Sequence, residues 1–429
     1  MTIDLSTITF TNGADIVPES GDENIVNTGI ANTLAGNDKI TGIGIYDFYD
    51  TITGYGIYNT GTLNTAEGND TITGTGDEAA IVNSGTFNTG QGKDIITGTG
   101  GYYADGIVNS GTFNTAEGDD TITGNGGRYG YRGGIDNTGT FNTGQGNDII
   151  SAEGVYGGIV NSGTFNTAEG NDEITGTGTG GKYNGISIAD GSTLDTGNGN
   201  DKISGQGRCG IYNGSITFNT GDGNDTIEGR GINGIDNEGL INTGNGKDTI
   251  IAEGVGNGLS NRSTIDTGDG DDLITVIGTL GNHGTIDTGH GDDIITASSA
   301  FYNGDTINTG DGKDTITSNN NIRNDGTINT GNGADFILAD VGFSGMGSVF
   351  LENGKDYLKG FGTGNFNGGN NQDTLELTSG TYTVGISGTT VSFTNSGVIM
   401  YTTNFEKLIA GNTMHDFTSL SPGQTIVVS

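Results

Sequence analysis

Two consecutive repeats decide the fold, and residues 267–293, which contain them, read TGDGDDLITVIGTLGNHGTIDTGHGDD. Each glycine-rich turn ends in an aspartate, Asp272 in the first repeat and Asp293 in the second, 21 residues further on. Large apolar residues follow the first aspartate at six-residue steps from Ile274 to Ile286. A constant period of this length indicates a solenoid in which each repeat forms one coil around a shared interior.

The aspartate turn recurs fourteen times along the chain. In every copy a glycine precedes the aspartate by two residues, and an isoleucine, or Leu358 in the last copy, follows it by two. Successive aspartates are 21 to 32 residues apart, and the extra length falls between the first and second apolar positions, which predicts insertion loops along one edge. The fourteen aspartates are Asp38, Asp70, Asp94, Asp120, Asp148, Asp172, Asp201, Asp225, Asp248, Asp272, Asp293, Asp314, Asp335 and Asp356.

The apolar spacing sets the length of the strands. A six-residue step has room for three or four strand residues and a tight turn. The chain has 86 glycines and no apolar residues at the spacing of a helix, so helices are excluded. We therefore predict an all-β chain, a parallel β-solenoid of about 14 coils of 21 or more residues with three short strands per coil. Residues 1–33 are predicted to form an N-terminal cap or partial coil, 34–360 the repeat solenoid, and 361–429 a small C-terminal β cap.

Two further patterns refine this prediction. Asparagines recur two residues after the second apolar position, as at Asn83 and Asn109, and are expected to stack from coil to coil. Degenerate copies of the turn occur around Asp15, Asp22 and Asp373, where a repeat array needs capping coils.

Composition excludes several function classes. The formal charge is −37, with 52 acidic and 15 basic residues, so no basic surface for nucleic acid is expected. The single cysteine excludes an intrachain disulfide framework. Residues 1–13 lack the basic and apolar segments of a signal peptide, and no apolar run is long enough for a membrane span.

The turns carry the chemistry of the chain. Stacked coils would place the aspartates in one column about 4.8 Å apart, where like charges repel unless a cation lies between them. Calcium accepts six to eight oxygen ligands in irregular geometry, whereas magnesium requires a tight octahedron. The column therefore predicts Ca²⁺ bound by carboxylates and turn carbonyls, with a chain that is largely unfolded when calcium is removed.

Turns such as Thr-Gly-Gln-Gly-Lys-Asp at 89–94 resemble the nonapeptide Gly-Gly-x-Gly-x-Asp-x-Leu/Ile-x of the RTX, or hemolysin-type, calcium-binding repeat proteins. The resemblance covers residues 34–360 and implies a β-roll or β-helix with Ca²⁺ between stacked turns, so that the fourteen aspartates are the implied metal ligands. Only one turn per coil carries the motif here, so one ion column is expected where the family has two. The second motif glycine is replaced in five copies, which leaves calcium binding open there, by Leu34, Ala66, Ala116, Ala168 and Glu352.

This resemblance implies a calcium-binding structural or interaction protein that is secreted or held at the cell surface. Residues 361–429 look like the C-terminal region of RTX-like proteins from cyanobacteria. In the wider family that region carries the type I secretion signal, so we expect an extracellular or cell-surface protein exported without a cleaved N-terminal signal. The candidate partners are calcium, other copies of the chain and a cell-surface polysaccharide.

The sequence also leaves alternative functions open. Threonines in register, as at Thr86 and Thr112, are compatible with ice binding, although the residue between the two turn glycines is never threonine. Loop aromatics are candidates for a sugar- or partner-binding strip, which would make the protein a calcium-dependent adhesin. A polysaccharide lyase or epimerase would need non-repeating residues clustered on one face, so we expect no enzymatic activity. The loop aromatics are Tyr46, Phe48, Tyr49, Tyr102, Tyr103, Tyr129, Tyr131, Tyr156 and Tyr183.

Overall fold

The computed structural model describes residues 2–18, 23–46, 54–129 and 132–429. It divides the chain into two compact units, Met1–Leu240 and Ile241–Ser429, and each is almost entirely β-structure. Across the described ranges, helical structure is limited to the 3₁₀ turns Leu5–Thr7 and Phe417–Ser419, and neither has the length or apolar character needed to cross a membrane. Four residues singled out in the sequence lie outside the described residues: Asp22, Phe48, Tyr49 and Tyr131.

The first unit is a parallel β-solenoid, as predicted. Strands pair in parallel with their counterparts one coil away, for example Ile96 with Ile72 and Phe113 with Phe87. The first strands are Ile16–Val17, Lys39–Gly44, Thr71–Gly76, Ile95–Gly100, Thr121–Asn125, Ile149–Gly154 and Glu173–Gly178. The second strands are Thr2–Asp4, Asn24–Asn27, Tyr55–Asn59, Ala79–Asn83, Asp105–Asn109, Gly133–Asn137, Gly157–Asn161 and Ile186–Ile188. First and second strands are continuous in Lys202–Asn213 and Thr226–Asn237. The third strands are Ile30–Asn32, Thr62–Asn64, Thr86–Asn88, Thr112–Asn114, Thr140–Asn142, Thr164–Asn166, Thr193–Asp195, Thr217–Asn219 and, at the unit boundary, Leu240–Asn242.

The second unit repeats this parallel plan with shorter coils. The first strands are Thr249–Asn261 and Leu273–Asn282, each continuous with the second strand, then Ile294–Ala297, Thr315–Ser318, Phe336–Ala339, Tyr357–Lys359, Thr374–Leu377 and Lys407–Ala410. Separate second strands are Phe301–Asn303, Ile322–Asn324 and Phe343–Ser344. The third strands are Thr264–Asp266, Thr285–Asp287, Thr306–Asn308, Thr327–Asn329, Ser348–Phe350 and Gly364–Asn367. A further ladder in the turns consists of Asp311–Gly312, Asn332–Gly333, Asn353–Gly354 and Asn370–Asn371.

The C-terminal residues leave the coil plan for antiparallel strands. Lys407–Ala410 pairs antiparallel with Thr413–Asp416. Gly380–Ser387 lies between Thr390–Asn395 and Thr425–Val428, and both of its pairings are antiparallel. Val398–Thr403 joins this sheet to the third-strand ladder, because it pairs antiparallel with Thr390–Asn395 and in parallel with Gly364–Asn367.

The core of each coil is three apolar side chains in register. In one coil of the first unit they are Ile96, Ile107 and Phe113, all fully buried. The phenylalanine rings stack along the third strands, with centroids 4.7 Å apart between Phe87 and Phe113 and 4.6 Å between Phe113 and Phe141. Insertions lie between the first and second strands, as the spacing predicted, so they lengthen a coil without changing its interior.

The predicted asparagine stacks are confirmed in both units. In the first unit the buried Asn83 amide donates to Asn109 Oδ1 at 2.8 Å, and Asn109 donates to Asn137 Oδ1 at the same distance. In the second unit Asn261 donates to Asn282 Oδ1 at 2.8 Å. Because each amide also bonds a backbone carbonyl, the stack satisfies polar groups that the turn would otherwise leave buried and unpaired.

Candidate metal centre

The fourteen predicted aspartates all end a turn and point into the protein, not into solvent. Each is at most 2% exposed. Eight of them belong to the first unit, from Asp38 to Asp225, and six to the second, from Asp248 to Asp356. Within each unit the structure thus brings the predicted ligands together as one buried column.

Hydrogen bonds fix one oxygen of each carboxylate. The backbone N–H of an aspartate donates to Oδ1 of the aspartate in the next coil, as from Asp94 to Asp120 at 2.8 Å and from Asp293 to Asp314 at 2.9 Å. This bond recurs at 2.7–2.9 Å between consecutive motif copies within each unit. The side chain therefore links coils as well as ending a turn.

At twelve of the fourteen motif aspartates and at Asp373, the second carboxylate oxygen, Oδ2, is buried and has no hydrogen-bond partner among the described residues. Burying an unpaired charged oxygen is costly, so a compensating proton or cation would stabilise an arrangement that recurs from coil to coil. The unpartnered Oδ2 atoms belong to Asp38, Asp70, Asp94, Asp120, Asp148, Asp172, Asp201, Asp272, Asp293, Asp314, Asp335, Asp356 and Asp373.

Burial raises the pKa of the carboxyl groups in this column. At Asp94 burial raises the pKa to about 6; the nearby Thr89 hydroxyl and the Asp70 N–H oppose the rise, and the neighbouring Asp120 carboxylate adds to it. Burial also raises the pKa of Asp356 and Asp373 at the end of the column. The same cause raises the pKa to about 6 at Asp70, Asp120, Asp148, Asp201, Asp272 and Asp335, and to about 7 at Asp172, Asp293 and Asp314.

The aspartate Oδ2 atoms are oxygen donors of the kind that a hard divalent cation prefers. Carboxylate and backbone carbonyl oxygens are the ligands that Ca²⁺ prefers. In the part of the chain that the structure describes, no three His, Cys, Asp or Glu side chains are grouped to hold a metal ion. An ion at the column would therefore be held by the aspartate Oδ2 atoms together with turn carbonyls, because side chains alone do not complete a coordination shell.

The invariant glycine two residues before each aspartate has a steric cause. Gly92 has φ +149°, and a Cβ there would lie 1.6 Å from the carbonyl oxygen of Gly68 in the preceding coil. In the second unit a Cβ at Gly312 would lie 1.8 Å from the Gly291 oxygen. The coils approach too closely at this point for any side chain, so glycine is required by stacking itself.

The five turns that lack the other glycine keep the same backbone. Leu34, Ala66, Ala116, Ala168 and Glu352 have φ between 64° and 69°, in the left-handed region that glycine adopts at 79–88° in the other turns. A residue with a Cβ in this conformation costs about 1 to 2 kcal/mol. The turn shape is thus preserved at these positions at a cost in backbone strain.

The threonine row and Glu406 were not predicted from the sequence, whereas Asp15 and Asp373 were predicted only as degenerate copies of the turn. A row of threonines five residues before the aspartates is buried, and its hydroxyls donate to carbonyls of the next coil, as from Thr65 to Thr89 at 3.0 Å. Asp15, in a turn recognised only as degenerate, donates its N–H to Asp38 Oδ1 at 2.8 Å. At the other end Asp356 donates to Asp373, and Asp373 donates to Glu406 Oε2 at 2.8 Å. The signal for Glu406 was Leu408, which follows it by two residues as isoleucine follows each aspartate.

A second repeating surface lies on the third strands of the first unit. Its threonine and asparagine side chains point outward on either side of the buried phenylalanines and line an open trough. The asparagines are locked to one another, with Asn88 donating to Asn64 Oδ1 at 2.7 Å and Asn114 to Asn88 at 2.7 Å. We call this surface the Thr-Asn face; it consists of Thr62, Asn64, Thr86, Asn88, Thr112, Asn114, Thr140, Asn142, Thr164 and Asn166.

The chain matches no protein-family model and no curated protein. Among solved structures, it is similar to the X-ray crystal structure of a hyperactive, Ca²⁺-dependent, beta-helical antifreeze protein from an Antarctic bacterium. That similarity has 18% sequence identity and a TM-score of 0.39, and it covers 82% of this chain and 84% of the other.

Proposed function

We propose that this chain is a calcium-binding structural protein of the cell surface or extracellular space, in which Ca²⁺ along the aspartate column completes the solenoid. The observation that carries the proposal is the buried Oδ2 atom without a partner at one aspartate after another. A proton neutralises such a group only up to about its pKa, which is about 6 for Asp94 and about 7 for Asp293. Above neutral pH a cation is the remaining means of compensation.

Calcium is favoured over magnesium by the backbone of the turn. Its carbonyls are set by φ values near 80–150° at glycines such as Gly90 and Gly92, and not by a flexible side-chain cage. Calcium tolerates six to eight oxygens in such irregular geometry. Because the extracellular medium is the calcium-rich compartment, folding there would couple to ion uptake. Export through the C-terminal region belongs to the same proposal, and catalysis has no part in it.

A calcium titration of metal-free protein at pH 8 tests the proposal. Circular dichroism should report folding on addition of Ca²⁺, calorimetry should report uptake of several ions per chain, and Mg²⁺ at equal concentration should do neither. Asp120→Asn should weaken uptake. Its control is Asp119→Asn, because the Asp119 side chain is 41% exposed and stands beside the column without joining it. A native spectrum retained in excess chelator, or equal effects of the two variants, would overturn the proposal.

The Thr-Asn face favours a second candidate function, binding to ice. In a chain with a formal charge of −37, none of the ten residues of this face is charged. Their hydroxyl and amide groups repeat once per coil, at about 4.8 Å, and the locked asparagines lose little entropy on binding. A regular uncharged lattice of this kind suits an ordered water surface better than it suits a flexible ligand.

Ice recrystallisation in the presence of calcium-loaded protein tests this second candidate. Thr112→Lys, which places a charge at the centre of the face, should abolish any inhibition of crystal growth. Thr264→Lys is its control, because Thr264 occupies the matching third-strand position in the second unit. Unhindered crystal growth with the unmodified protein would exclude ice binding.

A further inference from the structure

Exposed tyrosines gather on the insertion loops of the first unit. Tyr102, Tyr103 and Tyr129 are 70%, 61% and 55% exposed, although each is a large and partly apolar side chain. All three lie between the first and second strands of their coils, outside the repeating core. Contiguous exposed aromatics on a soluble protein usually mark a binding surface.

The loops that carry these rings are held by backbone hydrogen bonds between coils. The N–H of Gly101 donates to the Gly76 carbonyl at 2.7 Å, and that of Gly127 donates to the Ala104 carbonyl at 2.7 Å. Tyr129 N–H donates to the Tyr102 carbonyl at 3.0 Å. The rings are therefore presented by an extension of the coil ladder, and little ordering entropy remains to be lost on binding.

The three tyrosine rings form an aromatic strip that runs along the direction in which the coils stack. The Tyr102 and Tyr129 rings are stacked with centroids 5.8 Å apart and planes 9° from parallel. Tyr103 is tilted by 40° against Tyr129 at 6.0 Å. Each of the three residues is still more than half exposed, so a ligand can pack against the strip.

Two open clefts flank this strip and share Tyr102. The first is lined by Tyr55 and Tyr103 together with the acidic residues Asp77 and Glu78. The Tyr55 hydroxyl is hydrogen-bonded to Glu78, and burial together with that bond raises the pKa of Tyr55. The two clefts lie on either side of the aromatic strip and share the Tyr102 ring, and we call them together the tyrosine groove.

The polar lining of the groove offers both donors and acceptors. Arg132 Nη1 lies 3.0 Å from Asp105 Oδ2, so its charge is compensated within the protein. The second cleft adds the Asn125 amide and the side chains of Arg128 and Glu153. The clefts thus offer hydrogen-bond donors and acceptors side by side, next to aromatic rings. This combination suits a sugar, because its hydroxyls both donate and accept hydrogen bonds and the C–H faces of its ring are apolar.

We propose that the tyrosine groove binds a neutral oligosaccharide, with sugar rings packed on Tyr102 and Tyr129 and sugar hydroxyls bonded to the cleft side chains. A negative polymer is disfavoured by the formal charge of −37. A small ligand would occupy only one of the two clefts, whereas an oligomer is long enough to contact both across the Tyr102 ring. The groove stands apart from the aspartate column, so this inference does not rest on the calcium proposal.

Isothermal calorimetry with calcium-saturated protein tests the proposal, with cellohexaose, chitohexaose and mannohexaose as probes and polylysine as a cationic competitor. At least one hexaose should bind, and the double variant Tyr102→Ala, Tyr129→Ala should weaken it about tenfold or more. Tyr401→Ala is the matched control, because Tyr401 is 45% exposed and lies on a C-terminal strand. Unchanged circular dichroism of the variants separates lost binding from lost folding.

Tyrosine fluorescence gives a second readout, since the chain has 15 tyrosines and no tryptophan. A hexaose should change the emission of the unmodified protein and of Tyr401→Ala, but not that of the double variant. Three results would overturn the proposal: no hexaose binds, the control variant weakens binding as much as the double variant, or polylysine alone binds in a manner that depends on the groove tyrosines.

Discussion

The two units carry the same aspartate turn on coils of different design. In the first unit the coils hold insertion loops with exposed tyrosines, and the third strands present the uncharged Thr-Asn face. In the second unit most motif aspartates are 21 residues apart, and two consecutive matching strands carry Asp266 and Asp287. Its turns pair through two-residue strands from Asp311 to Asn371, where turns of the first unit pair through single bridges such as Glu67 with Gln91. The core and the aspartate column depend only on the positions that recur in every repeat. The insertion loops and the outward-facing strand residues can therefore differ between the units and form binding surfaces.

Thermal unfolding of calcium-free protein tests the feature that the two units share, the buried aspartate column. Each aspartate whose pKa is raised from 3.8 to about 6 or 7, such as Asp148 or Asp314, binds more protons folded than unfolded between those values. Its contribution to stability is therefore complete below about pH 4 and is lost as the pH rises through 6 to 7. We expect calcium-free protein to melt at a much higher temperature at pH 5 than at pH 8, and calcium to restore the melting temperature at pH 8. Equal melting temperatures at the two pH values without calcium would contradict this.

Gly92→Ala and Gly312→Ala, one in each unit, should each be severely damaging. Each puts a Cβ within 2 Å of a carbonyl oxygen of the preceding coil, which forces adjacent coils apart, so a loss of about 3 kcal/mol or more is expected in chemical denaturation. Gly133→Ala and Gly281→Ala are the controls, because a Cβ there has no neighbour nearer than 3.8 Å. If the first pair were tolerated like the second, stacking would not explain the glycine.

Within one coil, we expect the loss of a buried asparagine of the stack to reduce stability more than the loss of an asparagine on the outer surface. Asn109→Ala removes bonds at 2.8 Å to Asn137 and to the Thr140 carbonyl and leaves buried partners unpaired, so we expect a loss of about 2 kcal/mol. Asn114→Ala, on the half-exposed Thr-Asn face, should lose less than about 1 kcal/mol because water replaces its partner. Urea unfolding of both variants measures the difference, and the reverse order would contradict the assignment.

The smallest expected effect is a gain in stability. Ala116→Gly relieves a backbone at φ 69° and should stabilise the protein by about 1 kcal/mol or slightly less. Glu352→Gly, at φ 64°, makes the same comparison in the second unit. Ala152→Gly is the opposite control, because Ala152 is a buried strand residue and its loss should destabilise by a similar amount. A shift of the same sign in all three variants would contradict the strain argument.

Most of the fold could be predicted because the aspartate and the apolar residues recur at fixed positions in each repeat, and these positions set the strand register between coils. The aspartate, the isoleucine two residues later and the apolar spacing predict that Ile96, Ile107 and Phe113 lie in the core, and all three are fully buried. The close approach at Gly92 could not be predicted, because it depends on the distance between coils, which no single repeat encodes. Buried Thr65 was missed for a similar reason, since a threonine row reads the same in sequence whether it faces inward or outward.

The antiparallel strands at the C-terminal end have a consequence for self-association. A stack of parallel strands ends in an edge with unpaired N–H and C=O groups, which is a template for fibre growth. Here the last first-strand, Lys407–Ala410, is already paired with the returning strand Thr413–Asp416, so another molecule cannot continue the parallel ladder there. The hairpin that ends the second unit thus removes the parallel edge of its last first-strand as a template for polymerisation.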